Sequence, residues 1–279
     1  MIKKISSTVL LLAVLVACEG KVEQNKKESL VEGGMTNEVA EILDKAPSFS
    51  TEKDGLKIYT APSQVEYPSA ELQLKSPKNE SSQAGTVVFD FEVLDYELQE
   101  QTNGEKRKVL ANSNKGQHIH FIVNNAPYQA KYEPSFKTDL LEGNNVVLAF
   151  LSKSFHESVK TKTAFFFDNF YVGEGESFFD KTAPHLFYSR PKGIYKKSKA
   201  EKILLDFYLV NTVLAEKGNQ VKLKIDEVEF LLPHWSAYFI EGLTVGQHTI
   251  RIQLLDEKGV LIDGPFNDSG ARTIEIIED

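Results

Sequence analysis

The chain carries its own pattern twice. Leu72–Lys78 (LQLKSPK) lines up with Leu186–Lys192 (LFYSRPK), and Val87–Leu98 (VVFDFEVLDYEL) with Ile203–Leu214 (ILLDFYLVNTVL). Farther on, Ile119, Phe121 and Val123 fall on Val221, Leu223 and Ile225, and Val147, Ala149 and Leu151 on Ile250, Ile252 and Leu254. The order of blocks is the same in both halves, which a duplication explains better than chance. The offset between copies falls from 116 (Val87 to Ile203) to 102 (Ile119 to Val221), so the first copy holds about fourteen extra residues within Gln99–Gln117. The blocks themselves are strand-like. Thr86–Leu94 is rich in β-branched and aromatic residues, and Val146–Leu151 is a continuous apolar run of strand length. Breakers such as Asn124-Asn125, Lys258-Gly259 and Asp263-Gly264-Pro265 lie between or after such runs. Short strands, frequent turns and no long helical period predict an all-β chain: two immunoglobulin-like β-sandwich domains in tandem, at residues 67–160 and 184–279. A barrel is the alternative.

The rest of the chain divides around these copies. Residues 161–183 read as an aromatic-rich interdomain segment, with Phe165, Phe166, Phe167, Phe170, Tyr171, Phe178 and Phe179 crowded together. Such a segment packs as a hinge between domains or, if its rings are exposed, stacks on sugars. Trp235, the lone tryptophan, belongs to a core or a domain interface by the same reasoning. Residues 18–66 read as a solvated tether followed by a short helix over Thr36–Ala46, which Pro47 stops. At the start, Lys3 and Lys4 precede an apolar run from Val9 to Val16, closed by Leu15-Val16-Ala17-Cys18. Residues 1–17 have the layout of a secretory signal peptide. Cysteine at the cut resembles the lipobox of bacterial lipoproteins. That resemblance implies acylation of Cys18, membrane association through its acyl chains, and a place in the bacterial cell envelope. Glu19-Gly20 after the cysteine is compatible with the outer membrane of a two-membrane bacterium.

Cys18 is the only cysteine, so no disulfide can staple either copy and packing must supply stability. A formal net charge of −8 argues against nucleic acid as a partner. Chemistry is concentrated in the first copy, in Gly116-Gln117-His118-Ile119-His120. On a strand, Ile119, Phe121 and Val123 point to the core, which places His118 and His120 together on the opposite face. Their equivalents in the second copy are Gln220 and Lys222, so the fold does not require them. His156 and Glu157 lie just beyond a later strand and could complete a Zn or Cu site. The simpler expectation is a solvated face where these residues contact a ligand. Lys106, Arg107, Lys108 and Lys115 in the preceding loop, with Lys153 and Lys160, would form a cationic mouth for an anionic ligand.

Catalytic motifs are not seen: no nucleophile elbow, zinc-protease helix or phosphate-cradling loop. The strings GQHIHFIVNNAPYQAKYE (116–133), FLSKSFHESVK (150–160) and PHLFYSRPKGIY (184–195) resemble a family of uncharacterised bacterial lipoproteins, some labelled phosphopeptide-binding. The resemblance implies a secreted, lipid-anchored, two-domain envelope protein without a known reaction. The histidine strand is also similar to small β-sandwich domains bearing Gly-His-His-His, which implies metal binding; here the pair is interrupted. The sequence therefore points to a non-enzymatic binding or scaffold module, with its ligand surface on the first domain. An envelope protein, a peptide or a glycan is the expected partner. Metal binding through the histidines and carbohydrate binding are the alternatives.

Overall fold

The computed structural model describes residues 48–62, 67–78, 85–174 and 177–279, all within one compact unit, Asn37–Asp279. The signal peptide, Cys18, the tether and the Thr36–Ala46 helix lie outside the described residues. The described residues begin with a hairpin, β1 (Ser50–Lys53) and β2 (Leu56–Thr60). The first sandwich follows: β3 (Glu71–Ser76), β4 (Gly85–Leu94), β5 (His118–Val123), β6 (Gln129–Lys131), β7 (Ser135–Leu140), β8 (Gly143–Ser152) and β9 (Phe165–Val172). Its sheets have the orders β3-β4-β7 and β6-β5-β8-β9, antiparallel throughout. The second sandwich uses β10 (His185–Arg190), β11 (Gly193–Lys196), β12 (Ile203–Val210), β13 (Gln220–Ile225), β14 (Val228–Leu232), β15 (Tyr238–Glu241), β16 (Gly246–Leu255) and β17 (Arg272–Ile277). Its sheets are β1-β2-β15-β12-β10 and β11-β17-β16-β13-β14. Without the hairpin and β11, the two strand orders are the same.

The duplication extends to irregularities. Register slips between Leu74 and Ser76 in β3 and between Tyr188 and Arg190 in β10, at aligned positions. A cis peptide follows in each copy, at Ser76-Pro77 and Arg190-Pro191. Each sandwich closes its own core. Phe89, Phe91, Ile119, Phe121, Val147, Ala149 and Leu151 fill the first, and Leu186, Leu205, Phe207, Val221, Leu223, Ile250 and Ile252 the second. Inward residues of both sheets meet in each cluster, which identifies immunoglobulin-like sandwiches rather than barrels.

A third apolar layer joins the two bodies. Ile122, Val146, Leu148 and Phe150, on the outer faces of β5 and β8, pack with Phe187, Tyr208, Val210 and Phe266 of the second sandwich. Strands β8, β10 and β12 are therefore buried on both faces, which is why their sequences run apolar without alternation. Two boundaries change accordingly. Phe165–Val172, expected in an interdomain segment, is the edge strand of the first sandwich, paired along its length with β8. Phe166 and Phe170 face its core, while Phe165 and Phe167 face the third layer. Residues 50–60, expected in the tether region, are strands that extend the second sandwich through β2 and β15. Trp235 packs on the second core and the third layer, and its Nε1 donates to the Phe207 carbonyl at 3.1 Å.

Candidate metal centre

Strand β5 supplies two of the three central side chains. Its inward residues Ile119 and Phe121 belong to the first core, so His118 and His120 share the outer face, as alternation requires. That face is not solvated. The second sandwich covers it, and both histidines are fully buried. The third, His156, comes from the turn that follows β8, in which Ser152 bridges to Ser158. Its own amide donates to the Lys153 carbonyl at 2.9 Å, and its φ of 69° puts a non-glycine residue in the left-handed region. The first copy's extra loop braces this turn. Thr102 Oγ1 accepts from the Ser154 amide at 2.9 Å, Ser154 Oγ accepts from the Thr102 amide at 3.2 Å, and the Ser113 amide donates to the Ser154 carbonyl at 2.8 Å.

Three ring nitrogens converge. His118 Nε2 lies 3.0 Å from His120 Nε2 and 3.1 Å from His156 Nδ1, and the remaining side of the triangle is 3.4 Å. Nitrogens bound tetrahedrally at about 2.0–2.1 Å from one ion stand about 3.3–3.4 Å apart, so the triangle is close to one face of such a site. The far sides of the β5 rings are held as ligand histidines require. His118 Nδ1 is 2.8 Å from the Gly116 carbonyl, which can only accept, so Nδ1 carries the proton and Nε2 of the neutral ring is bare. His120 Nδ1 lies 3.1 Å from Ser189 Oγ on β10, and with that hydroxyl accepting, its Nε2 is bare as well. Ser152 Oγ approaches His120 Nε2 at 3.2 Å, and the Tyr128 hydroxyl approaches His156 Nδ1 at 3.4 Å.

The surroundings keep the rings neutral. Burial drives the His118 pKa down to about 4, only partly opposed by the Gly116 carbonyl, and the Arg190 charge lowers it further. His156 is pushed to about 2 by burial and then by Arg190, and His120 is held well below its ordinary value, chiefly by burial. Tyr128 stacks on His120 with ring centroids 3.6 Å apart and planes within 10°, and burial raises its phenol to about 12. Neutral imidazoles whose nitrogens converge on one point can share a single cation. This donor set suits Zn or Cu.

The remaining expected site residues go elsewhere. Glu157 does not reach the histidines. Its carboxylate is clasped by Lys106 Nζ at 2.7 Å and Lys153 Nζ at 3.0 Å. Burial works to raise its pKa, and the two ammonium groups more than offset that and hold it below its ordinary value. Lys106, Arg107 and Lys108 sit on a one-turn helix, Lys106–Val109, where Lys108 pairs with Glu105 and Arg107 is exposed. Lys160 pairs with the fully buried Asp206, and Lys115 lies over the Tyr132 ring. The expected cationic mouth is thus dispersed into separate contacts. The cation that does stand beside the histidines is Arg190, with Lys192 behind it over the Tyr128 ring at 4.3 Å. Sequence reasoning passed over Tyr128, Ser189 and Arg190. A signal existed for the last, since Arg190 aligns with Ser76 and is a polar elaboration of one copy just as the histidines are.

No family model and no curated protein matches the chain. Among solved structures, it is similar to the fibronectin(III)-like modules of Clostridium thermocellum CbhA, at 13% identity over 75% of this chain and 94% of that one, with a TM-score of 0.25. It is also similar to the Bacteroides ovatus mixed-linkage glucan utilization locus SGBP-B in complex with a mixed-linkage heptasaccharide, at 11% identity over 74% of this chain and 47% of that one, with a TM-score of 0.20. The chain therefore spans about half the length of that protein. The two tandem V-type regions of VCBP3, a v-region-containing chitin binding protein, are 6% identical over 74% of this chain and 98% of theirs, with a TM-score of 0.24.

Proposed function

We propose that this protein is a lipid-anchored envelope module that binds one Zn or Cu ion through His118, His120 and His156, without catalysing a reaction. The observation that carries the metal reading is the convergence of three nitrogens at 3.0–3.4 Å, two of them from rings oriented by partners on their far nitrogens. The same three residues are the one His/Cys/Asp/Glu group of metal-binding geometry among the described residues. Anchoring rests on the Leu15-Val16-Ala17-Cys18 string. The carbohydrate alternative has less support, because of the seven clustered aromatics only Phe178, at 92%, is broadly exposed.

The test is metal content and thermal melting of the full chain in detergent, titrated with Zn and Cu. One equivalent of metal and stabilisation of about 2.7 kcal/mol at a hundredfold excess over Kd are expected. Both should vanish in the His118→Ala/His120→Ala variant. A folded wild-type protein that neither holds nor responds to either metal refutes the reading. Cys18→Ala should release the protein from the membrane fraction.

A further inference from the structure

Arg190 is an unexpected neighbour for a cation site. It is 7% exposed, and its Nε has no partner. Its Nη1 donates to the Tyr195 hydroxyl, at 3.3 Å, the Tyr128 hydroxyl is a second neutral hydrogen-bond partner, and its guanidinium carbon lies 5.2 Å from the Tyr128 ring centroid. Asp206, its cross-strand neighbour, gives one oxygen, Oδ1, to Lys160 and Ser158 instead, and its buried Oδ2 has no hydrogen-bond partner among the described residues. A buried guanidinium without an acidic partner among the described residues is costly, and a divalent ion placed beside it compounds the cost. Neither Glu157 nor any other carboxylate enters the histidine cluster to compensate.

A small cavity adjoins Arg190 and His156. It is lined by His156, Arg190, Tyr195 and Lys202 against an apolar wall that includes Phe155 and Leu204. Its volume of about 10 Å³ is room for one water-sized group. Lys202 is paired with Glu241 at 3.6 Å, so Arg190 is the cation without an acidic partner in a lining that holds no acid and suits a small anion. Three protein nitrogens leave a fourth tetrahedral position open.

We propose that the histidine centre takes its divalent metal together with one monovalent anion of chloride or hydroxide size, held by Arg190 in this cavity as the metal's fourth ligand. The inference rests on the metal reading above. The anion lowers the charge that the metal brings into the interface and gives Arg190 an anionic partner.

Co(II) makes the idea measurable, because its visible absorption reports the fourth ligand. The full chain would be loaded with Co(II) in chloride-free perchlorate buffer and titrated with chloride at fixed pH. A second titration would vary pH without chloride. A saturable spectral change with chloride identifies a halide site, and one that follows pH alone identifies hydroxide. In Arg190→Met, Co(II) should still bind while the anion response weakens at least tenfold. Arg190→Lys, which retains the charge, should respond more strongly than Arg190→Met, and it serves as the test variant if Arg190→Met fails to fold, with weakening relative to wild type then expected. Co(II) binding with no anion response, or with a response indifferent to Arg190, overturns this proposal and leaves the metal site standing. No Co(II) binding by the folded wild type overturns both.

Discussion

Acidification of the metal-free protein tests the histidine cluster without any metal. In the unfolded chain a histidine titrates near 6.5. In the folded protein His118 titrates at about 4, and His120 and His156 lie well below 6.5. As pH falls from 7 to 5, the unfolded state therefore takes up protons that the folded state refuses. The stability is fully present above the unfolded pKa and is lost as pH falls toward the folded one. For His118 the linkage integral between pH 7 and 5 is about 2 kcal/mol. His156, pushed to about 2, remains unprotonated in the fold across the same window and adds roughly the same, for about 4 kcal/mol from the two, and His120, also held low by burial, acts in the same direction. Carboxylates contribute little here, because unfolded Asp and Glu titrate near 3.9 and 4.3. The loss approaches the low end of the whole stability of an ordinary domain, about 5–15 kcal/mol. Urea unfolding in EDTA at pH 7, 6 and 5, followed by Trp235 fluorescence, would measure it. His118→Gln should shrink the pH-dependent loss by about 2 kcal/mol. A flat profile between pH 7 and 5, or a variant with the wild-type slope, would show that the cluster is not buried and neutral as described.

Three further outcomes follow from the packing. In Gly116→Ala the added Cβ would stand 2.2 Å from the Gln99 carbonyl oxygen at a φ of +80°, so the loop that orients His118 must move. Metal affinity should fall by roughly 10–100-fold in a calorimetric titration. Lys160→Met strands the Asp206 carboxylate, fully buried and with its pKa already raised by burial, and should cost about 3–5 kcal/mol by thermal melting. Lys160→Met/Asp206→Leu should recover most of that loss. Phe187→Ala opens the layer between the sandwiches and should cost about 3–5 kcal/mol in chemical denaturation, with no change if that layer does not form in solution.

What the sequence disclosed, and what it hid, follows from which contacts are local. The principal strands were legible because alternation and duplication marked them independently, as in β5 against β13. Strand β9 was misread because FFFDNFYV packs on both faces, and a strand without alternation cannot be told from an apolar linker by period. The hairpin of β1 and β2 was missed although Asp54-Gly55, both at positive φ, is a strong turn signal; STEK is too polar to read as a strand. The histidines were placed on the correct face, but their burial was invisible, since it depends on a second sandwich arriving from more than sixty residues away. The cationic mouth failed for a related reason. Lysines can be counted in a sequence, whereas their pairing with Glu157 and Asp206 is settled only by the fold.

The asymmetry between the copies now has a physical account. In β13 the positions of His118 and His120 are Gln220 and Lys222, both half-buried in a strand whose inward residues alternate with solvated ones. Among the described residues that outer face carries no second body, so polar side chains there are met by water and by surface partners such as Glu229 beside Lys222. The matching face of β5 is covered, and a polar group under such a cover must find partners within the protein. The histidines find them from both copies: the Gly116 carbonyl, Ser152 and Tyr128 from the first, and Ser189 from the second, with Arg190 alongside. The extra loop of the first copy adds the brace on His156, and its Leu110 packs with Phe155, Leu204 and Phe239 across the same junction. The centre is thus a property of the junction rather than of either sandwich. Loosening that junction should weaken metal binding even where no ligand is touched, and Phe187→Ala provides the case: its loss of stability should be accompanied by a loss of metal affinity, whereas an unchanged affinity would locate the site wholly within the first sandwich.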